Sequence, residues 1–189
     1  MSDVALREAD VEAVLDCLRS GWLTMGPRIA ALEEALVERT GAPFAITVGS
    51  GFGALQLALI VAGLDRDDAV TAARAVLRGE DVRLPAGVVW HGVTWGSGLG
   101  DAQLACFDLA PASPIGVGQG GVVLCGDEEQ AKRLRLLRSH ALTSGTWDRH
   151  KGHSIGYDVI DVGFNLRMDE PRAALALSRL GRLDPEAGG

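Results

Sequence analysis

The sequence predicts an α/β fold in which a mainly parallel sheet is flanked by helices. Short apolar runs typical of buried strands alternate along the chain with segments of helical apolar spacing. The 189 residues are 47% hydrophobic, which is enough for one compact core. No internal repeat or linker-like stretch divides the sequence, so we expect a single domain over residues 1–189.

Apolar spacing and terminal glycine or proline residues delimit each element. A first helix over 11–18 ends at Gly21, and a second begins at Pro27 and ends at Gly41. Further helices are predicted over 54–62, 68–77, 127–137 and 171–183. Strands are predicted over 44–48, 88–90, 104–109 and 122–124, and the stretch 139–164 has no clear periodicity.

Composition excludes several classes of function. The net charge of −7 gives no basic surface for nucleic acid. No run approaches the 18 to 20 apolar residues of a membrane span, and the first residues do not resemble a signal peptide, so we expect a cytoplasmic protein. The cysteines are scattered, and the spacing of His140, His150 and His153 fits no compact metal site. We therefore expect no bound metal.

A glycine-rich turn follows the first predicted strand. The residues Gly49-Ser50-Gly51-Phe52-Gly53 connect that strand to an apolar helix. Free amides and the helix dipole make such a turn a natural site for an anion. The same turn also occurs where nothing is bound, so by itself it leaves a plain strand–helix connection open.

Several segments resemble, in order, the motifs of the DegT family of nucleotide-sugar aminotransferases, which are fold type I pyridoxal-phosphate enzymes. They lie at residues 20–27, 50–59, 120–123, 137–140, 146–149, 157–159 and 163–170. The resemblance implies a trimmed aminotransferase large domain without the small C-terminal domain. It also implies a homodimer with its active site at the interface, where Asn165 and Arg167 would reach toward the neighbouring pocket.

The resemblance also shows where this chain departs from the family. Ser113 stands where the family has the lysine that binds the cofactor as an imine, and a hydroxyl cannot form that bond. Asp108 replaces a serine that helps to hold the phosphate, and Phe52 replaces a small hydroxyl residue. His91 replaces the aspartate that pairs with the pyridine nitrogen, and Thr94 replaces the following His or Gln. From these changes we predict that pyridoxal phosphate has been lost and that no cofactor is bound.

Two functions follow as hypotheses. The first is a cofactor-independent biosynthetic enzyme, a lyase, isomerase or cyclase acting on a secondary metabolite or sugar-derived intermediate, with His91, Asp108 and Ser113 as catalytic residues. The second is a non-catalytic partner or regulatory subunit of a full-length paralogue. A small molecule would bind through Ser50, Gly51, Phe52, Thr94, Trp95, Asn165 and Arg167. For each of these residues an ordinary structural role is the competing interpretation.

Overall fold

The computed structural model describes residues 5–95, 98–143, 152 and 158–183. The described residues form six helices and four strands. In chain order these are α1 (Glu8–Arg19), α2 (Pro27–Thr40), β1 (Phe44–Val48), α3 (Gly51–Val61), α4 (Arg66–Leu77), β2 (Val88–Gly92), β3 (Leu104–Asp108), β4 (Gly121–Cys125), α5 (Glu128–Arg138) and α6 (Glu170–Leu180). The family-like motif at 146–149, residue Tyr157 and the histidines at 150 and 153 lie outside the described residues.

The four strands form one sheet in the order β1-β4-β3-β2. Strand β2 pairs with β3 in parallel, whereas β4 is antiparallel to both β1 and β3. Strands β1, β2 and β3 therefore run in the same direction and β4 opposes them. The α/β class with flanking helices is confirmed, and the sheet is mixed because the short connection 109–120 returns the chain directly, without a crossover helix.

Helices cover both faces of the sheet. On one face α3, α4 and α5 bury an apolar cluster that includes Leu55, Leu59 and Leu134. On the other face α2 and α6 bury a second cluster, which includes Leu32, Leu36 and Phe107. Helix α1 packs on the outside of α6. No helix in the described part of the chain is long and apolar enough to cross a bilayer.

Helix α1 is joined to α6 by a buried ion pair. Asp10 is fully buried, and its carboxylate accepts hydrogen bonds from Arg182 at 2.7 Å and Ser178 at 2.8 Å. Burial alone would raise the pKa of Asp10, but the bonds from Arg182, the Arg7 amide and Ser178 lower it to about 2. The charged form is therefore the one that docks α1 onto α6.

The start of α2 is capped by a carboxylate from α6. Glu170 is fully buried, and its carboxylate accepts hydrogen bonds from the backbone amides of Gly26, Arg28 and Ile29, each at 2.9 Å. These amides belong to the helix end whose N–H groups have no carbonyl partner within the helix. A negative charge at this end is also favoured by the helix dipole. One side chain thus fixes α2 against α6.

We predict that Glu170→Ala destabilises the fold by about 3 to 5 kcal/mol, because three amides at the start of α2 lose their acceptor and a cavity forms. Equilibrium urea unfolding followed by circular dichroism measures this change. The control is Glu34→Ala, which removes an exposed glutamate of α2. A Glu170→Ala loss no larger than that of the control contradicts the assigned capping role.

Candidate functional site

The candidate site lies where β1 and β3 end beside the first turn of α3. Ser50 is extended, with φ −162° and ψ 157°, and its side chain accepts a hydrogen bond from the Gly53 amide at 3.0 Å. The amides of Gly51 and Phe52 belong to the first helical turn, which has no carbonyl partners within the helix. Together with the helix dipole they favour an anion at this position. We call residues 50–53 the α3 turn.

Asp108 lies directly against the α3 turn. A Cβ atom placed on Gly51 would come within 2.5 Å of the Asp108 Cγ and 2.7 Å of its Oδ2. The other carboxylate oxygen, Oδ1, accepts a hydrogen bond from the Ala110 amide at 2.9 Å. Position 51 must therefore be glycine while Asp108 keeps this position. A carboxylate thus borders the surface that the turn offers to an anion.

Burial raises the pKa of the Asp108 carboxyl above its ordinary value, and the hydrogen bond from the Ala110 amide opposes that rise. Helix α3 contains no ionisable side chain, and neither does the stretch 109–117 that follows β3. The protonated form of Asp108 is therefore easier to reach here than on an exposed surface.

The segment before α6 positions the α3 turn. The Gly49 amide donates to the Leu166 carbonyl at 2.8 Å. Arg172 donates to the carbonyls of Gly49 at 3.0 Å and Gln119 at 3.1 Å, and it also pairs with Asp169 at 2.7 Å. Arg172 was not among the residues predicted from the sequence, although its position three residues after the N-cap Asp169 was a usable signal.

Arg167 lies next to the residue that precedes the α3 turn, since a Cβ atom on Gly49 would come within 3.1 Å of the Arg167 carbonyl oxygen. The Arg167 Nε donates to the Asn165 Oδ1 at 3.2 Å, and an Arg167 amine lies 3.5 Å from the His140 Nε2. His140 adopts a left-handed backbone conformation with φ 60°, which is uncommon for a residue other than glycine. The predicted reach of Asn165 and Arg167 toward a neighbouring subunit stays a prediction.

His91 lies on the opposite face of the sheet from Asp108. Its ring stacks on Phe107 with centroids 4.7 Å apart and planes 12° apart. Phe107 belongs to the cluster beneath α2 and α6, whereas Asp108, the next residue of β3, points to α3. Alternation along the strand therefore separates His91 from Asp108, and the structure does not bring the predicted acid–base pair together.

His91 instead lines a separate cavity of about 310 Å³ with Val89, Leu99 and residues 100–102. Burial lowers the pKa of His91 below its ordinary value, which favours the neutral ring. Trp95 packs on Phe107 at a centroid distance of 4.9 Å, and Thr94 is exposed. These two residues thus lie near His91 and away from the α3 turn.

Ser113 is buried in the turn after β3. Only 2% of its surface is exposed, and its hydroxyl has no hydrogen-bond partner among the described residues. Its backbone amide donates to the Ala110 carbonyl at 2.8 Å, and the next residue, Pro114, accepts a hydrogen bond from Arg179 of α6. The position is therefore well defined, but its hydroxyl cannot link covalently to an aldehyde as an amine does.

Sequence comparison gives a consistent match. The model of the DegT/DnrJ/EryC1/StrS aminotransferase family matches residues 4–75 and 80–187. UDP-4-amino-4-deoxy-L-arabinose--oxoglutarate aminotransferase of Shewanella sediminis is 25% identical over 243 aligned positions, covering 95% of this chain and 63% of that protein. Spore coat polysaccharide biosynthesis protein SpsC of Bacillus subtilis is 26% identical, covering 93% and 62%. The chain thus spans less than two thirds of the length of these relatives.

Solved structures share the fold. Helicobacter pylori PseC, an aminotransferase involved in the biosynthesis of pseudoaminic acid, superposes with a TM-score of 0.72 at 20% identity, covering 96% of this chain and 64% of that one. Spr1654 of Streptococcus pneumoniae, solved in PMP, PLP and apo forms, reaches a TM-score of 0.75 in the PMP form at 19% identity, covering 96% and 67%.

These matches correct two predictions. A cofactor-independent lyase, isomerase or cyclase, or a non-catalytic partner subunit, is contradicted because the relatives are sugar aminotransferases. The absence of a cofactor is contradicted because the matched family is one of aminotransferases and a structural neighbour, Spr1654, was solved with PLP and with PMP. The prediction of a lost cofactor rested on the hydroxyl at Ser113, and a hydroxyl rules out an imine at that position but not binding through a phosphate group. The amides of the α3 turn fit a phosphate group, whereas Ser113 does not fit a covalent link.

We predict that Gly51→Ala destabilises the protein by about 1 to 3 kcal/mol, because the new methyl group overlaps the Asp108 carboxyl. Adding Asp108→Ala is expected to recover most of that loss, so the two changes are coupled. Urea unfolding of the single and double variants measures the coupling. Gly181→Ala is the control, because its Cβ would meet only the Leu177 and Ser178 carbonyls at 3.6 and 3.8 Å. Additive effects of Gly51→Ala and Asp108→Ala would disprove the contact.

Proposed function

This chain belongs to the DegT/DnrJ/EryC1/StrS aminotransferase family, and we propose that it binds pyridoxamine phosphate or pyridoxal phosphate non-covalently for amino-group chemistry on a sugar. The observation that carries the proposal is the α3 turn at the carboxyl end of β1, where ligands of α/β sheets characteristically bind. When bound, such a cofactor supplies an amino or carbonyl group for exchange with the substrate. An amino or keto sugar is the proposed substrate, because the Shewanella relative carries a 4-amino sugar in its name.

The residues of this chain have distinct parts in that proposal. The amides of Gly51 and Phe52 donate to the phosphate, and Ser50 keeps the helix end in place by accepting from Gly53. Arg172 fixes the turn through the Gly49 carbonyl. Since Ser113 offers a hydroxyl in place of an amine, no imine adds to the affinity for the cofactor. The phosphate contacts therefore contribute a larger share of that affinity than they would in a site with a lysine.

The direct test is a calorimetric titration of the wild-type chain with pyridoxamine phosphate and, separately, with pyridoxamine. We expect binding of the phosphorylated compound and at least tenfold weaker binding of the other, because only the former has a group for the α3 turn. Failure of pyridoxamine phosphate to bind, or equal affinity for both compounds, would refute the proposal.

We predict that Ser113→Lys gains a covalent adduct with pyridoxal phosphate, because an amine replaces the hydroxyl at the position that resembles the family's lysine. After borohydride reduction, peptide mass spectrometry should place the adduct on residue 113. The wild-type chain should carry none at that position.

The matched control is Ala112→Lys, which puts a lysine on the exposed neighbouring residue. Stronger labelling at 113 than at 112 is expected, and the labelling should compete with free pyridoxamine phosphate. Equal and non-competed labelling at both positions would mean that Ser113 does not face the cofactor.

We also propose that the chain forms a homodimer. The proposal is supported by the segment 159–162, in which Val159, Ile160 and Val162 are 64%, 62% and 70% exposed. Large apolar residues that are adjacent and exposed are typical of an interaction surface.

Ile160→Asp is expected to shift the protein from dimer to monomer in sedimentation equilibrium, because a carboxylate would be buried in the interface. The control Val11→Asp changes an exposed apolar residue on α1 and should leave the mass unchanged. A monomeric wild type, or a dimer that survives Ile160→Asp, would rule out this surface.

A further inference from the structure

We propose that Asp108 couples phosphate binding at the α3 turn to protonation: a phosphate binds there together with one proton, which is held between the phosphate and the Asp108 carboxylate. This inference rests on the proposed function, since it concerns the phosphate of the same cofactor. Asp108 then determines how many protons accompany the bound phosphate.

The position of the carboxylate carries the inference. The contacts of Asp108 with Gly51 place its Oδ2 against the first residue of α3, while its Oδ1 is engaged by the Ala110 amide. A phosphate that accepts hydrogen bonds from the Gly51 and Phe52 amides must therefore approach this carboxylate. Two anions in contact in a partly buried site repel strongly, and protonation of one of them removes the repulsion.

The surrounding charges do not offer an alternative neutralisation. Helix α3 and residues 109–117 contribute no ionisable group. Of β4, only Cys125 is ionisable, at the far end of the strand. His91 of β2 stacks on Phe107 on the opposite face of the sheet.

The cations of the preceding segment are already engaged. Arg172 donates to the Gly49 and Gln119 carbonyls and pairs with Asp169. Arg167 contacts Asn165 and His140. A proton held between Asp108 and the phosphate is thus the nearest means of neutralisation.

The ionisation of Asp108 supports the same conclusion. Burial already raises the pKa of its carboxyl, against the hydrogen bond from Ala110, and an adjacent phosphate raises it further. Because the bound state takes up a proton, affinity for phosphate should fall as pH rises, by roughly tenfold per pH unit where Asp108 is ionised in the free protein and the free phosphate is a dianion. An uncharged residue at 108 should abolish that slope.

The experiment compares wild type with Asp108→Asn, which keeps the shape of the side chain and an acceptor for the Ala110 amide. Pyridoxamine phosphate and inorganic phosphate are titrated calorimetrically near neutral pH in two buffers of different ionisation enthalpy, which yields the number of protons taken up. Wild type should take up about one proton more per phosphate than the variant, and the variant should bind at least tenfold more tightly at the alkaline end of the pH series.

Asp127→Asn is the matched control. Asp127 also accepts a backbone amide, that of Gln130, at 2.8 Å, but it caps α5 away from the α3 turn. This variant should match wild type in proton uptake and affinity. If proton uptake is lost in both variants, the net charge of the protein and not Asp108 itself causes the uptake, and the inference is overturned.

Two other results would also overturn it, and they are distinguishable. If wild type and Asp108→Asn bind pyridoxamine phosphate equally with equal proton uptake, Asp108 does not couple phosphate binding to protonation. The proposal that the chain binds the cofactor is then unaffected. If neither protein binds pyridoxamine phosphate or inorganic phosphate at any pH, the proposed function fails and this inference fails with it.

Discussion

The hydrogen bonds from the start of α2 to the Glu170 carboxylate are the interaction on which the rest of the structure depends. They join two helices that are more than a hundred residues apart in sequence and that together cover one face of the sheet. Because Glu170 is the first residue of α6, the same contact fixes the preceding segment, in which Leu166 binds Gly49. The first turn of α6 also carries Arg172, which contacts the Gly49 and Gln119 carbonyls. The position of the α3 turn therefore follows from a buried charge remote from it.

The candidate site combines features that favour an anion with one that opposes it. The helix end and Ser50 have the geometry of a phosphate site. Asp108 brings a negative charge to the same place, and Ser113 offers a hydroxyl, which forms no imine. The charge balance of the site therefore depends on a single carboxylate beside the first turn of α3.

The two edge strands of the sheet, β1 and β2, have different surroundings. At the β1 edge, Glu33 accepts from the Thr47 amide at 2.9 Å, and the buried Arg138 donates to the Thr47 carbonyl at 2.7 Å. Side chains thus satisfy backbone groups that an edge strand leaves unpaired. At the other edge, β3 is the one strand in the described part of the chain that pairs with β2. The Shewanella alignment extends over 243 positions although this chain has 189 residues, so the relative contains segments that are absent here.

The sequence by itself determined the order of helices and strands, the glycine-rich turn, the family resemblance and the absence of an amine at Ser113, because these follow from local spacing and from residue chemistry. It could not determine that His91 and Asp108 point to opposite faces. Two residues on neighbouring strands share a face only in one register, and a shift of one residue reverses the direction of a side chain. Here Trp90 pairs with Cys106, so that Asp108 shares the face of these residues and His91 takes the other. Only the tertiary structure decided that Glu170 caps α2 and that Asp108 lies on Gly51, because both contacts join residues far apart in sequence. Local patterns carry no information about such pairs.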